Sequence, residues 1–321
     1  MIKILFNCNQ TQKQGLGHFF RCLNFARHMK MKKKFEISFT GMFSHFSLLI
    51  LKKEYFKVFN LTCDEDLFIN LINYDFIITD RYDINQNHLD KLAFNKNIKS
   101  IIIDDFNTLN FIKQDLVINF RVGINHYCYD SKTTALGEKF FIFKPELNQI
   151  RENYHFSSTV KRLLFFGTGT NKSNPKFDGL PEFLIQQFPH LEILHITNEP
   201  LIIESKRYTS KTYSNSIEKH LKKVDATING GGLIKYEASF CGIPSATLST
   251  TKDQHEDTII LSQKGLLYNL GYQQIENKID IQKRVSNFIN NSKIRQSISQ
   301  NGKMIFTPES VNNLINRIYE L

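Results

Sequence analysis

Short apolar segments alternate with helical ones along most of this chain, and this alternation limits the folds open to it. In the first half, strands are predicted at Ile2–Cys8, Phe35–Thr40, Phe56–Leu61, Asp75–Asp80 and Lys99–Asp104, with helical segments such as Gln86–Phe94 between them. The second half has predicted strands at Arg162–Phe166, Leu191–Thr197, Asp225–Asn229 and Ser245–Leu248, and predicted helices at Phe183–Phe188, Ser214–Lys223, Leu233–Phe240 and Gln254–Gln263. Buried strands that alternate with helices predict α/β structure with parallel sheets covered on both faces.

The chain has 321 residues, about twice the usual size of one domain, and the alternation is lost between residues 137 and 158 around Pro145. We therefore predict two Rossmann-like domains, residues 1–150 and 151–321, facing a central cleft. The mostly helical C-terminus leaves open whether its last helix packs back on the first domain. Ligand-binding loops are expected at the carboxyl ends of the strands.

Lys and Arg exceed Asp and Glu by ten, which favours an anionic partner. The charge is scattered, and no nucleic-acid-binding motif is present, so no nucleic-acid partner is expected. The one basic run, Lys30–Lys34 interrupted by Met31, is typical of a solvated helix end, and a peripheral membrane contact stays open.

Five cysteines form neither a CxxC pair nor an even disulfide framework, and no apolar stretch approaches the roughly 18 residues of a membrane span. Because Met1–Phe6 is too short for a signal peptide and is followed by polar Asn7, we expect a cytoplasmic protein.

The first candidate loop is Gln14-Gly15-Leu16-Gly17-His18, between the first strand and a helix. Glycines let a backbone approach a ligand closely, and a helix N-terminus favours phosphate or developing negative charge. Phe20 stands where a dinucleotide fingerprint has its third glycine, so no NAD cofactor is expected. His18 is either a general acid or base, or a helix-start residue that faces solvent.

Two further strands of the first half end in polar residues. Asp80, Arg81 and Tyr82 could hold a sugar or its carrier, or Arg81 could pair with Asp80 or Asp83 in a surface loop. Asp104 and Asp105 could orient His18 or bind sugar hydroxyls, and the alternative is that Asp105 caps the next turn.

The second half has two glycine loops. Gly167, Thr168 and Gly169 follow a strand and are typical of a diphosphate-binding loop or of a plain turn. The triple glycine Gly230–Gly232 precedes a helix whose N–H groups could bind phosphate, and Glu237 on that helix could accept hydrogen bonds from ribose. Further residues that we expect at the nucleotide or the substrate are Leu233, Asp253, Gln254 and His255.

Several of these motifs resemble one family. Gly15-Leu16-Gly17-His18 with Arg21, Asp80-Arg81-Tyr82-Asp83, Asp104-Asp105 and Leu136–Glu146 resemble the UDP-sugar hydrolases of the pseudaminic acid pathway and their spore-coat polysaccharide relatives. The segment Asp225–Pro244, with Gln254 after it, is similar to glycosyltransferases of the GT-B superfamily, including the lipid II-forming N-acetylglucosaminyltransferase.

The resemblance implies a GT-B fold and hydrolysis of a UDP-linked N-acetylated deoxy-aminosugar without a metal or another cofactor. It also implies roles for single residues: His18 activates water, Tyr82 lies beside the sugar and Glu237 holds the ribose. Together with the loops above, it gives these candidates: catalytic His18, Asp80 and Tyr82; nucleotide-binding Gly17, Gly167, Thr168, Gly169, Gly230, Gly231, Gly232, Leu233, Glu237 and Gln254; and substrate-binding Arg21, Arg81, Asp105 and Asp253.

Two departures leave alternatives open. The family usually has Asn-Gln where this chain has Asp253-Gln254, and a Gly-Gly-x-Asp type loop where this chain has Gly167–Thr170. A carboxylate at position 253 would repel a diphosphate unless Lys252 or a hydrogen-bond donor compensates. The alternatives are a glycosyltransferase with a glycan or lipid acceptor, and a non-catalytic nucleotide-sugar sensor.

Overall fold

The computed structural model describes residues 1–10, 16–63, 66–67, 71, 73–94, 97–124, 128–167, 175–197, 199, 201–212 and 216–321. The chain divides into two units, the first formed by Met1–Pro145 with Pro308–Leu321 and the second by Glu146–Thr307. Each unit is built on one parallel β-sheet.

The sheet of unit 1 has the strand order β3-β2-β1-β4-β5-β6-β7, and every neighbouring pair is parallel. Its elements are β1 (Ile2–Cys8), α1 (Gly17–Met31), β2 (Phe35–Gly41), α2 (His45–Lys53), β3 (Lys57–Asn60), β4 (Phe76–Asp80), α3 (Gln86–Phe94), β5 (Lys99–Ile103), β6 (Leu116–Asn119), β7 (Thr134–Leu136) and a 3₁₀ turn (Glu138–Phe140). Cys8 of β1 pairs with Asp80 of β4, so these two strands end side by side.

Strand β1, which lies inside the unit 1 sheet, has apolar side chains on both faces. Phe6 stacks on Phe39 of β2 at 5.2 Å between ring centroids and meets Phe25 of α1 edge-on at 5.9 Å. Leu5 belongs to a separate buried cluster that contains Ile77 and Leu92. A continuous apolar run is what a strand needs when helices cover both faces of its sheet.

The sheet of unit 2 has the order β10-β9-β8-β11-β12-β13, again all parallel. Its elements are α4 (Leu147–Asn153), β8 (Arg162–Phe166), α5 (Pro175–Asp178), α6 (Leu180–Gln187), β9 (Glu192–Ile196), β10 (Tyr208–Lys211), α7 (Glu218–Leu221), β11 (Ala226–Asn229), α8 (Ile234–Cys241), β12 (Ser245–Ser249), α9 (Lys252–Gln263), β13 (Tyr268–Tyr272), α10 (Lys278–Asn290) and α11 (Ser292–Ile305).

The last helix, α12 (Ser310–Tyr319), belongs to unit 1. It packs against the 3₁₀ turn and α1. The Tyr319 ring stacks on Phe35 at 5.3 Å, and Asn313 donates to the carbonyl oxygen of Lys139 at 3.1 Å. Its buried residues include Val311, Leu314 and Ile318, spaced as one face of an amphipathic helix.

The expected pair of parallel-sheet Rossmann-like domains is confirmed, with several differences in the elements. The stretch 137–158 is not only a connection, because it contains the 3₁₀ turn and α4. Elements that the apolar pattern did not predict are β6, β7, α5, β10 and β13. Helix α6 begins earlier than predicted, at Leu180, because Pro181 is well suited to a first helical turn. Within the described residues, no helix is both long enough and apolar enough to cross a membrane.

Candidate active site

His18 and Asp80 are in direct contact at the carboxyl edge of the unit 1 sheet. His18 lies in the first turn of α1, and Asp80 is the last residue of β4, with its side chain fully buried. His18 Nδ1 lies 2.6 Å from Asp80 Oδ1. Asp80 thus holds the imidazole on one side, while 13% of the His18 side chain stays exposed.

Arg21 connects two buried carboxylates. It lies three residues after His18 and therefore on the same side of α1. Its Nε donates to Asp80 Oδ2 at 2.6 Å and its Nη2 to Asp80 Oδ1, while Nη1 donates to both oxygens of Asp105 at 3.0 and 3.2 Å. Burial alone would lower the pKa of Arg21, but Asp105 and Asp80 raise it well above its ordinary value.

The charge on Asp80 determines which ring nitrogen of His18 carries a proton. Burial works to raise the pKa of Asp80, but Arg21 and His18 outweigh it and lower that pKa to about 2. The carboxylate is therefore ionised at neutral pH and can only accept hydrogen bonds. We assign the proton of neutral His18 to Nδ1, which leaves the lone pair on Nε2. An aspartate orients a histidine base in the same way in serine hydrolases.

An exposed aromatic ring lies beside His18, and a second ring packs against it. The Tyr82 ring meets the imidazole edge-on at 4.0 Å between ring centroids, and the Phe106 ring lies 5.0 Å from the Tyr82 ring. Tyr82 is 59% exposed, and its hydroxyl donates to Asp105 Oδ2 at 2.6 Å. Burial and the charge of Asp105 raise the pKa of Tyr82 above its ordinary value. The hydroxyl thus stays protonated, and the ring offers an apolar surface to a ligand.

Arg81 forms an ion pair of its own. Its side chain is 3% exposed, and its guanidinium pairs with Asp83 at 2.8 Å. Asp83 also accepts from Asn9 at 3.0 Å, and Asn9 in turn accepts from the backbone N–H of Met42 at 2.9 Å. The structure thus shows the ion pair of Arg81 with Asp83 that the sequence offered as one possibility, and a direct substrate contact of Arg81 stays a prediction.

Asp104, and not Asp105, caps the turn after β5. Its Oδ2 accepts from the backbone N–H groups of Phe106 at 3.1 Å and Asn107 at 2.6 Å, and from the Tyr129 hydroxyl at 2.7 Å. Asp105 instead points to Arg21 and Tyr82. The possibility that Asp105 is the cap is therefore corrected, because the turn closes on the side chain one residue earlier.

In unit 2, the triple glycine forms a tight turn between β11 and α8. The N–H of Gly230 donates to the carbonyl oxygens of Phe166 and Gly167, both at 3.1 Å, and the N–H of Gly231 donates to Asn229 Oδ1 at 3.1 Å. Gly231 has a φ of +97°, which favours glycine. Among the described residues, and apart from its own chain neighbours, no atom lies within 4 Å of the position that a Cβ would take on Gly232. This position is open, directly before the first N–H groups of α8.

Gln254 packs against this turn from the start of α9. A Cβ on Gly231 would lie 3.2 Å from Gln254 Cβ, and Gln254 Oε1 accepts from the Thr250 hydroxyl at 2.7 Å. Glu237 is half-buried on α8, while Asp253 is exposed in the first turn of α9. Other predicted loop residues lie outside the described residues: Gln14, Gly15, Thr168, Gly169, Thr170 and Asn171.

A buried ion pair that the sequence did not reveal ties α8 to α9. Lys235 is 2% exposed, and its Nζ lies 2.6 Å from Asp257 Oδ2. The Tyr236 hydroxyl also contacts Asp257, at 2.7 Å from each carboxylate oxygen. These contacts fix the two helices that present Gly232 and Gln254. No motif links residues this far apart in sequence, so only the packing of the helices identifies them.

Two sequence relatives are similar to most of this chain. An uncharacterized protein of Methanocaldococcus jannaschii is 26% identical over 283 residues, which is 79% of this chain and 57% of that protein. The spore coat polysaccharide biosynthesis protein SpsG of Bacillus subtilis is 22% identical over 232 residues, 67% of each chain. No family model matches the sequence. Among the described residues, no group of three or more His, Cys, Asp or Glu side chains is arranged to hold a metal ion.

Solved structures align over nearly the whole chain at low identity. UGT2 of Phytolacca americana, complexed with UDP-2-fluoro-glucose and pterostilbene, has a TM-score of 0.70 at 11% identity and covers 99% of this chain and 98% of its own. MurG of Acinetobacter baumannii has a TM-score of 0.68 at 10% identity over all of both chains. The S. aureus MnaA–UDP structure has a TM-score of 0.66 at 12% identity, and the match covers 99% of this chain and 96% of that chain. The chain therefore has the fold of the GT-B glycosyltransferases and epimerases, with two parallel-sheet α/β domains.

Proposed function

We propose that this chain hydrolyses a UDP-linked N-acetylated deoxy-aminosugar and releases UDP and the free sugar for surface-glycan or nonulosonic acid biosynthesis. The observation that carries the proposal is the contact between His18 and buried Asp80, with Arg21 holding the carboxylate. A histidine base oriented in this way suits the activation of water, and the GT-B fold suits a nucleotide-sugar substrate.

In the proposed step, Nε2 of His18 takes a proton from water while the water oxygen attacks the anomeric carbon. The bond from that carbon to the phosphate oxygen breaks, and UDP leaves with the bonding electrons. Asp80 stabilises the imidazolium that forms, and the proton then passes to solvent. Arg21 and Asp105 are positioning residues in this scheme, because both are buried against Asp80 or Tyr82. Tyr82 contacts the sugar through its exposed ring.

We propose that unit 2 holds the nucleotide. The turn Gly230–Gly232, with Leu233 and the start of α8, binds the diphosphate, since helix N-termini favour anions. Glu237 accepts hydrogen bonds from the ribose, and Gln254 shapes the turn. Gly17, Gly167, Thr168 and Gly169 are further candidates for contact with the diphosphate. Asp253 is exposed, so solvent and nearby Lys252 reduce its repulsion of phosphate.

The second candidate function is glycosyl transfer, with His18 removing the proton from an acceptor hydroxyl of a glycan or lipid. It is supported by the whole-chain similarity to the glycosyltransferase structures and by the polysaccharide biosynthesis named for the Bacillus relative. The exposed ring of Tyr82, which lies beside His18, and the Phe106 ring against it would then receive the acceptor.

An acceptor-free assay in ¹⁸O-labelled water separates the two candidates. UDP release is measured for a panel of UDP-linked N-acetylated aminosugars, including trideoxy diacetamido sugars, with UDP-glucose as the control. Hydrolysis predicts rapid UDP formation from an N-acetylated donor, with no ¹⁸O in the UDP. Binding of the donor with release only after an acceptor is added would favour the transferase, and ¹⁸O in the β-phosphate would contradict attack at the anomeric carbon.

A further inference from the structure

Seven exposed lysines lie at the amino edge of the unit 1 sheet. Two short connections bring them together: the one between α1 and β2, and the one between α2 and β3. Strand starts of a parallel sheet share one edge, and Lys30 joins the two connections, because its Nζ donates to the carbonyl oxygen of Glu54 and lies 4.6 Å from the centre of the Phe56 ring. The lysines, which we call the lysine edge, are Lys30, Lys32, Lys33, Lys34, Lys52, Lys53 and Lys57.

Two large apolar side chains project at these connections, one from the last residue of α1 and one from the turn after α2. Met31 is 62% exposed and Tyr55 is 90% exposed. Tyr55 and Lys33 both have a positive φ, +59° and +54°. Glycine and asparagine adopt this left-handed backbone conformation more easily than tyrosine or lysine does. The fold has no need of the Tyr55 ring, since that ring is almost fully in solvent, so the residue fits the turn poorly and adds little packing.

The charge of this edge is strongly unbalanced. The two connections and the strands that they enter carry only two carboxylates, Glu36 and Glu54. Glu54 is paired with Arg27 at 3.0 Å between Nε and Oε2, so it does not offset the lysines. The lysine edge therefore presents net positive charge around exposed Met31 and Tyr55.

We propose that the lysine edge is a docking surface for an anionic phospholipid membrane. Lysines bind the acidic headgroups, while Tyr55 and Met31 enter the interfacial layer, where tyrosine is favoured. A nucleic acid would use the lysines but would leave Met31 without an apolar environment, so the exposed apolar pair favours lipid. His18 and Asp80 lie at the opposite, carboxyl edge of the same sheet, and docking leaves them accessible to substrate.

The test is vesicle flotation of the full chain, with phosphatidylcholine vesicles and with vesicles containing about a third phosphatidylglycerol. We expect binding to the anionic vesicles to be at least about tenfold stronger and to weaken as salt rises. The triple variant Lys32→Glu, Lys34→Glu, Lys53→Glu should bind anionic vesicles about tenfold or more weakly than the native chain. The control Lys264→Glu, Lys278→Glu, Lys293→Glu has the same net charge but alters exposed lysines of unit 2, and should change binding by no more than about threefold.

A second variant separates a lipid contact from a structural role. Tyr55→Gly should weaken binding to anionic vesicles several-fold while leaving the melting temperature unchanged or higher, because glycine relieves the positive φ. Equal binding to neutral vesicles, equal losses in both triple variants, or binding of a DNA duplex without binding of anionic vesicles would overturn the proposal.

Discussion

The Nδ1 atom of His18 lies 2.6 Å from Oδ1 of Asp80, and this contact leaves Nε2 as the nitrogen that can take a proton. Asp80 is buried between His18 and Arg21, so it has no access to a substrate. Its influence on the reaction must therefore pass through the imidazole. In the proposed reaction, His18 is the base that contacts the substrate, and the buried network of Asp80 and Arg21 orients it.

Replacing Asp80 with asparagine tests the orienting contact. The amide has nearly the same shape but can donate to Nδ1, which would place the proton of His18 on the wrong nitrogen. We expect UDP release to fall by on the order of a hundredfold or more, with UDP affinity unchanged by calorimetry. Melting temperature is measured alongside, because Arg21 loses a charged partner. A stable Asp80→Asn variant with nearly full turnover would contradict the assigned role.

Two substitutions of Tyr82 separate its ring from its hydroxyl. Tyr82→Phe removes the hydrogen bond to Asp105 but keeps the ring beside His18. We expect KM to rise by no more than about threefold in Tyr82→Phe and by about tenfold or more in Tyr82→Ala. If phenylalanine proved as damaging as alanine, the hydroxyl and not the ring would carry the function.

The triple glycine offers a matched pair of variants. A Cβ on Gly232 meets no atom of the other described residues within 4 Å, so Gly232→Ala should fold normally. It should weaken UDP binding by at least about tenfold only if a ligand occupies that space. Gly231→Ala must instead strain a φ of +97° and crowd Gln254, so we expect a lower melting temperature as well. If Gly232→Ala bound UDP as tightly as the native chain does, the diphosphate would not bind at this turn.

His195 should make the fold sensitive to mild acid. Burial lowers its pKa to about 4, and its Nδ1 lies 2.8 Å from the Tyr208 hydroxyl. The unfolded chain binds this proton near pH 6.5, so the stability is complete above that pH and is lost as pH falls towards about 4. We expect the free energy of unfolding to decrease by about 3 kcal/mol across this window.

Denaturant unfolding at several pH values measures this loss, and His195→Gln is the control. Glutamine keeps a hydrogen-bonding group but does not titrate, so this part of the pH dependence should disappear. The same slope in both proteins would assign the acid sensitivity to other groups. The pKa of Asp80, near 2, places its own contribution at lower pH, between about 4 and 2.

Much of the fold could be predicted because its central strands are buried on both faces. Ile2–Cys8 and Arg162–Phe166 are continuous or nearly continuous apolar runs, and their bounds match the structure. Strands β10 and β13 were missed because Tyr208–Lys211 and Tyr268–Tyr272 contain polar residues or glycine and lie at sheet edges, where one side of the strand needs no partner.

The site was predictable only to the level of its loops. Parallel topology brings the residues after β1 and β4 together, so the proximity of His18 and Asp80 follows from the order of strands. Which carboxylate contacts His18, and which caps a turn, depends on side-chain directions that residue type does not encode. Asp104 and Asp105 are adjacent in sequence and chemically identical, yet one closes a backbone turn while the other binds Arg21 and Tyr82.

The most direct test of the central claim is UDP release by His18→Asn, measured with the donor that the native chain cleaves fastest. If Nε2 of His18 is the base, turnover should fall by on the order of a thousandfold, while the Kd for UDP stays within about threefold of the native value. Turnover comparable to that of the native chain would show that His18 is not the base and that the reaction uses another group.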